Sequence, residues 1–230
     1  MFVYFDIGFT LLGGPSTGPA RRLVEMLGLP STAKGRVAEV LFTQPFVDAE
    51  HLADHLCELF HTSTSMTRES VQQLWRAQIE EARLLPGAAE LLSALRQAQI
   101  PFGFISDIWS PFHSGFTHLL PKESLHCPGF YSFQQRCAKP DPELYRRALH
   151  HTKMAAEEVI MVGDTYSLDM APARKMGMKT VWVLHRPEQE KRELLGVLNG
   201  LLPTPEWTVG SLAEITVERL RAVLAQGGKG

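Results

Sequence analysis

Asp6 stands at the end of a short apolar run, Met1 to Phe5, and is followed by Gly8 and Thr10 in the stretch FDIGFT. Asp164 has the same setting after EEVIMVG, and Ser106 closes the apolar run IPFGFIS. In open parallel sheets, ligands bind just beyond the C-terminal ends of the strands, where all three residues fall. Two carboxylates brought together there repel and raise one another's pKa unless a cation sits between them. An all-oxygen, partly open site of this kind suits Mg2+, which takes one or two carboxylates and keeps several waters. Lys139 offers a positive charge at the same rim and Ser106 a hydroxyl. Helix N-termini after Ser106 and Gly163 are expected to present free backbone N–H groups to phosphate oxygens. Together these groups describe a site for phosphoryl transfer to an aspartate.

The elements that must position them follow from hydrophobic periodicity. Strands are expected at Met1–Phe5, Ile100–Ser106, within EEVIMVGD and within MKTVWVL. Helices are expected in LLPGAAELLSALRQAQ, opened by Pro86-Gly87, and in PELYRRALHH, capped by Asp141 with Pro142 at the first helical position. A further helix spans SLDMAPARKMG and ends at Gly177. WTVGSLAEITVERLRAVL reads as a short strand and a final helix capped by Ser211, and the tail AQGGKG as disordered. Alternation of strands and helices implies a parallel sheet covered on both faces. Between the first and second strands the pattern is helical from Ala20 to Arg83, after a Gly- and Pro-rich loop, Leu11–Pro19. Leu23, Met26 and Leu27 mark one helix there, and Leu52, Leu56, Leu59 and Phe60 another. Val71, Leu74, Trp75 and Ile79 mark a third, with Thr67 and Ser70 as caps. The fold class is therefore α/β: a Rossmann-like parallel-sheet core with an inserted all-helical cap of about four helices. The core is residues 1–14 and 84–230 and the cap residues 15–83.

Composition narrows the function classes. The chain has 230 residues, 44% hydrophobic and 21% charged, with a formal net charge of -2. Basic residues occur in no block longer than pairs such as Arg21-Arg22 and Arg146-Arg147, so nucleic acid is not an expected partner. No apolar run is long enough to span a membrane. No basic region precedes the N-terminal apolar stretch, so no secretory signal is expected and the location reads as cytoplasmic. Cys57, Cys127 and Cys137 lack metal-ligand spacing and read as free thiols. His51, His55 and His61 read as solvated positions, Trp75 as cap core, and Arg21 and Arg22 as a solvated helix face. Any one strand-end acid alone reads as a cap or turn former; the shared register of several favours the site.

Four segments carry a resemblance to a known family: FDIGFTLL, FGFISD, CAKPDPELY and VIMVGDTYSLDMAPARKMGM. In this order, with a helical insertion between the first and second, they resemble the haloacid dehalogenase-like hydrolase superfamily along nearly the whole chain. The resemblance implies Asp6 as the catalytic nucleophile and a Mg2+ ligand, with the Gly8 carbonyl, Asp164 and Asp169 completing the metal set. Lys139 is implied as catalytic, neutralising charge, with Ser106, Asp107 and Lys139 binding phosphate and Thr10 orienting Asp6. The insertion resembles the mobile cap that closes over such sites. The implied reaction is Mg2+-dependent hydrolysis of a small phosphorylated or otherwise anionic metabolite through an aspartyl-phosphate.

Gly8 departs from the pattern. Phosphatases of the family carry there a second aspartate, which protonates the leaving oxygen and then activates water. Loss of such a group costs about 10²–10⁴-fold in rate. Asp107 is a candidate substitute acid. Two alternatives stand beside the phosphatase reading. One is a phosphonatase-like C–P hydrolase, whose Schiff-base lysine would have to be Lys34, the sole lysine between Pro15 and Arg83. The other is a catalytically impaired protein that binds phosphorylated ligands. The retained Gly163-Asp164 pair counts against dehalogenation.

Overall fold

The computed structural model describes residues 1–225. The expected disorder of the tail therefore lies, beyond Ala225, outside the described residues. Six parallel strands form one sheet: β1 (Phe2–Phe5), β4 (Phe102–Ser106), β5 (Gly129–Tyr131), β6 (Val159–Gly163), β7 (Lys179–Val183) and β8 (Trp207–Val209). Their order is β5-β4-β1-β6-β7-β8, which puts β1 at the centre. Strands on one side of β1 are laid outward in one direction and those on the other side in the reverse, so the sheet switches at β1 and β6. Asp6 and Asp164 end those two paired strands, in register Phe5↔Val162. The Asp6 N–H donates to Val162 O at 2.9 Å, tying the two strand ends together.

Side chains alternate across the strands and are buried on both faces, as parallel sheets require. Val3, Phe5, Phe104, Val162 and Val181 pack on one face with residues of α5 (Ala88–Gln97), α6 (Ser110–Leu119) and α12 (Val217–Ala225). Phe2, Tyr4, Met161 and Trp182 pack on the other with Leu144, Tyr145 and Ala148 of α9 (Pro142–Thr152) and Ala173 of α10 (Ala171–Lys175). Asp141 caps α9 as expected, accepting the Glu143 N–H at 2.9 Å. The short helices α7 (Pro121–His126) and α8 (Ser132–Gln135) flank β5, and α11 (Lys191–Leu198) lies between β7 and β8.

The four helices of the insertion are α1 (Pro19–Met26), α2 (Lys34–Thr43), α3 (Ala49–Phe60) and α4 (Thr64–Glu80). They share a hydrophobic cluster of their own that includes Leu23, Val37, Leu41, Leu52, Leu56, Val71 and Leu74. One member comes from outside it: Trp109, in the segment after β4. The insertion is entered and left through a two-stranded antiparallel ribbon, β2 (Leu12–Gly13) and β3 (Arg83–Leu84). No strand was expected there; two residues a side are too few to show a period. The ribbon straddles the expected boundary at residue 84, and α5 accordingly begins only at Ala88.

Other expectations are corrected locally. Thr67 and Ser70 do not cap α4: they lie inside it and are buried, while Ser63 takes the cap position. Ile79 falls outside the buried stripe, at 37% exposure. Ser211 accepts the Ala213 N–H and opens a 3-10 turn, Leu212–Glu214. The final helix starts after Thr216, whose hydroxyl accepts the Arg219 N–H at 3.3 Å. The three-residue β5, with Pro128 before it, was too short to be read from sequence.

The insertion is held against the core at α4 and α6. Gly115 of α6 permits the approach: a Cβ there would lie 2.8 Å from Ala82 Cβ and 3.3 Å from Ile79 O. We expect Gly115→Val to lower stability by about 1–3 kcal/mol through overpacking. Urea unfolding measures this, and an unchanged midpoint refutes the close-contact account.

Candidate active site

Two of the acids reach the site directly from strand ends and a third from the turn that follows. Asp6 follows β1, Asp164 follows β6, and Asp169 lies in a π-helical turn, Tyr166–Met170, that carries the chain from Asp164 into α10. Gly163 makes that turn possible, because a Cβ on it would meet the Asp169 carboxyl at 2.4 Å. Carboxylate oxygens of Asp6, Asp164 and Asp169 all lie within 4.8 Å of one another. Among the described residues this is the only group of His, Cys, Asp or Glu side chains placed to hold a metal ion.

Lys139 enters from the segment before α9 and is buried. Its Nζ donates to Asp6 Oδ1 at 2.7 Å and to Asp169 Oδ1 at 2.6 Å. Those two carboxylates raise the ammonium well above its ordinary pKa, against the opposing effect of burial. Asp107 holds the lysine's backbone, accepting the Lys139 N–H at 2.8 Å. Burial pushes the Asp107 carboxyl up to about 6. Thr10 Oγ1 donates to Asp6 Oδ2 at 3.3 Å, the orienting contact expected of it. Ser106 is buried, and its Oγ accepts the Ile7 N–H at 3.4 Å. Ser106 thus faces the loop of the first motif.

Some of the backbone N–H donors that follow Ser106 and Gly163 are engaged within the protein. The Ile108 N–H is taken by Ser132 Oγ at 3.1 Å. The Thr165 N–H is taken by Asp169 Oδ2 at 3.0 Å, and the Tyr166 N–H by Glu190 at 2.7 Å. Short polar loops crossing the strand ends satisfy these donors internally.

Two participants were missed. Arg186, just past β7, donates to Asp164 Oδ2 and lays its guanidinium 3.6 Å from the centroid of the Phe9 ring. The signal was present: Arg186 follows a strand end, the criterion that found Asp6 and Asp164. Phe9 carried none, since its role comes from a left-handed backbone, φ 56°. Gly8, by contrast, is not forced to be glycine. A Cβ built there has no heavy atom within 4 Å, so a larger side chain has room.

Positions set aside in the sequence stay outside the cluster. Cys57, Cys127 and Cys137 are free thiols. His51 and His61 are exposed; His55 is half-buried and, like His51, packs on Phe46. Arg21 pairs with Glu25 on the surface, whereas Arg22 is half-buried and paired with Glu81 at 2.6 Å. Lys34 is exposed and lines a surface groove with Arg21 and Glu25, apart from the acidic cluster.

Counted as charges, Asp6, Asp107, Asp164 and Asp169 face Lys139 and Arg186, a formal excess of two negative charges. Carboxylates in such excess favour a proton or a hard divalent cation with oxygen preference. The donor set therefore fits a cation of the Mg2+ type. The same crowding marks Asp169: burial first, then Asp6 and Asp164, push its carboxyl from the ordinary 3.8 up to about 8. The folded state then holds a proton that the unfolded chain releases, so this contribution to stability falls as pH rises between those values. In EDTA, we expect the melting temperature to fall from about pH 6.5 to about 8, and Asp169→Asn to flatten that slope. Calorimetry at constant ionic strength checks this; an unchanged slope in Asp169→Asn refutes it.

Above the cluster lies a pocket of about 160 Å³ that includes Asp6, Gly8, Asp107 and Lys139 in its wall. The insertion contributes Phe42 and Gln78 to the same wall, and the segment after β4 contributes Ile108, Trp109 and Phe112. Gln78 Oε1 accepts the Trp109 indole N–H at 2.9 Å, closing insertion onto core. Trp75 meets Trp109 edge to face, so it belongs to this junction as well as to the cap cluster.

Comparison with known proteins bears on the family and the fold. A glyceraldehyde 3-phosphate phosphatase of Pyrococcus abyssi is 33% identical over 101 residues, covering 44% of this chain and 42% of that protein. The chain thus matches less than half the length of that relative. A HAD phosphatase from Thermococcus onnurineus superposes with a TM-score of 0.59 at 18% identity, over 99% of this chain and 98% of the other. A HAD family enzyme from Bacteroides thetaiotaomicron, in complex with magnesium and inorganic phosphate, superposes with a TM-score of 0.59 at 13% identity, over 78% and 91%. These structural likenesses show a shared fold. No described helix is long and apolar enough to cross a membrane. Residues 46–183, more than half of the chain, match the haloacid dehalogenase-like hydrolase family, and the protein belongs to it as a hydrolase.

Proposed function

We propose that the protein is a Mg2+-dependent phosphohydrolase acting on a small phosphate monoester through Asp6. The observation that carries the reading is the placement of Lys139, bonded to Asp6 and Asp169 beside Asp164 at the floor of a pocket. In this reading Asp6, Asp164, Asp169 and the Gly8 carbonyl hold Mg2+, which when bound supplies charge neutralisation for the transferring group. Thr10 orients the Asp6 carboxylate, one oxygen of which attacks phosphorus. Ser106 and Lys139 hold phosphoryl oxygens. Asp107, expected to bind phosphate, is assigned a positioning role through the Lys139 backbone, since its carboxylate already accepts that N–H. Residues 15–83 act as the cap, and the core consists of residues 1–14 and 84–230. Closure of the cap excludes water from the pocket.

The phosphonatase alternative loses support because Lys34, its sole candidate amine, is exposed and outside the pocket wall. With Mg2+, the protein is expected to release phosphate from a panel of monoesters, and Asp6→Asn to abolish release. Gly8→Asp, which has room for its side chain, should raise kcat on alkyl esters by about 10²–10⁴-fold. Turnover that survives Asp6→Asn overturns the reading. Inactivity of both parent and Gly8→Asp, with phosphate still bound, assigns the protein to ligand binding instead.

Arg186 must share Asp164 with any metal. Replacing it with methionine removes a competing cation and should tighten Mg2+ binding on the order of tenfold, part of the ~4 kcal/mol a contact pair carries near a protein surface. Isothermal titration with MgCl2 reads this directly, and weaker binding by Arg186→Met contradicts the competition.

A further inference from the structure

The pocket wall is chemically one-sided. Beyond the cluster itself it consists of Phe9, Phe42, Ile108, Trp109, Phe112 and Leu168, with Gln78, Thr17 and several prolines and glycines. Its one amide, Gln78, is already engaged by the Trp109 indole. Among the described residues Lys139 is the only cation in the wall, and it is committed to Asp6 and Asp169. From the insertion, Arg22 is paired with Glu81 and Arg21 with Glu25. A substrate carrying a second carboxylate or phosphate would bury that charge with no partner, which is costly. An apolar group gains there from the aromatic faces. At about 160 Å³, the pocket that must also hold the phosphoryl group leaves room only for a small group beyond it.

Gly8 adds an independent constraint. Asp107, the other carboxylic acid of the wall, is tied to the Lys139 backbone N–H. With no carboxylic acid at position 8 and Asp107 held in that contact, the leaving oxygen departs unprotonated. An alkoxide is a poor leaving group under those conditions; an aryloxide is stabilised by its ring and leaves as the anion.

We propose that the substrates are monoesters of phosphate with a small, uncharged, phenol-like alcohol, the ring seated against Phe42, Phe112 and Trp109. This rests on the phosphohydrolase reading and specifies its substrate class. In the first step an Asp6 oxygen bonds to phosphorus as the phosphorus–aryl-oxygen bond breaks. The bonding pair leaves on the aryl oxygen, which takes its proton from solvent. In the second step a water oxygen bonds to phosphorus as the phosphorus–Asp6 oxygen bond breaks. The bonding pair returns to the Asp6 carboxylate, phosphate is released and the water's proton passes to solvent.

Two measurements separate this proposal from the reading beneath it. The first is calorimetric binding of phenylphosphonate and phosphonoacetate in MgCl2, neither of which can be hydrolysed at the P–C bond by this route. Phenylphosphonate should bind at least about tenfold tighter, a 1.4 kcal/mol preference, and Phe42→Ser should erase it. Equal or tighter binding of phosphonoacetate overturns the substrate class even if the protein hydrolyses esters. The second is kcat/KM across para-substituted phenyl phosphates, phenyl phosphate against 3-phosphoglycerate included. A steep rise with leaving-group acidity, flattened in Gly8→Asp, is expected, with phenyl phosphate favoured over 3-phosphoglycerate. No dependence on leaving-group acidity, or preference for 3-phosphoglycerate, overturns the proposal. Absence of any turnover, with the phenylphosphonate preference intact, overturns the hydrolytic reading and leaves the pocket chemistry standing.

Discussion

One buried ammonium keeps this site together. Lys139 lies between Asp6 and Asp169, with Asp164 beside them, at the switch point of the sheet. Parallel pairing of β1 with β6 forces two of those acids into proximity whatever their charge. Removing a central cation from such a cluster leaves carboxylates buried without compensation, a penalty of several kcal/mol. Other local features serve this arrangement. Asp107 anchors the lysine's backbone, Gly163 leaves room for the Asp169 carboxyl, and Thr10 turns Asp6. The core folds around a formal charge imbalance that its own cations do not fully neutralise.

The second dependence runs through Trp109. It belongs to the hydrophobic cluster of the insertion while its backbone belongs to the core, and its indole N–H is satisfied only by Gln78 of α4. That bond and the aromatic contacts around it join the insertion to the core. The β2–β3 ribbon is the covalent route between the two parts, and only two residues of each strand pair there. A further attachment is the packing of α4 on α6, where Gly115 allows close approach. The wall of the pocket and the junction of insertion with core thus use the same side chains.

Much of this was legible in the chain because strand ends are local features. A run of apolar residues followed by an acid predicts both a buried parallel strand and the side of the sheet on which that acid emerges. Asp6, Ser106 and Asp164 were found that way, and α9 was found from its Asp-Pro start. Short elements escaped: three residues of β5 and two each of β2 and β3 cannot display a period. Ser211 misled because a good capping residue also opens a 3-10 turn, and the choice between them lies in the residues that follow.

Residue types and their order along the chain determined the α/β class, the acids at the strand ends and the loss of a carboxylate at Gly8. Tertiary structure alone decided that Lys139 spans Asp6 and Asp169, that Arg186 shares Asp164, and that Gln78 meets Trp109 across 31 residues of chain. It also decided that the pocket wall is apolar, with Lys34 left outside it. The division has a physical cause. Backbone pairing and hydrophobic burial are written in local periodicity, whereas a side chain's partner depends on where distant segments are brought to rest. Neither Phe9's left-handed turn nor the reach of a guanidinium leaves a periodic trace.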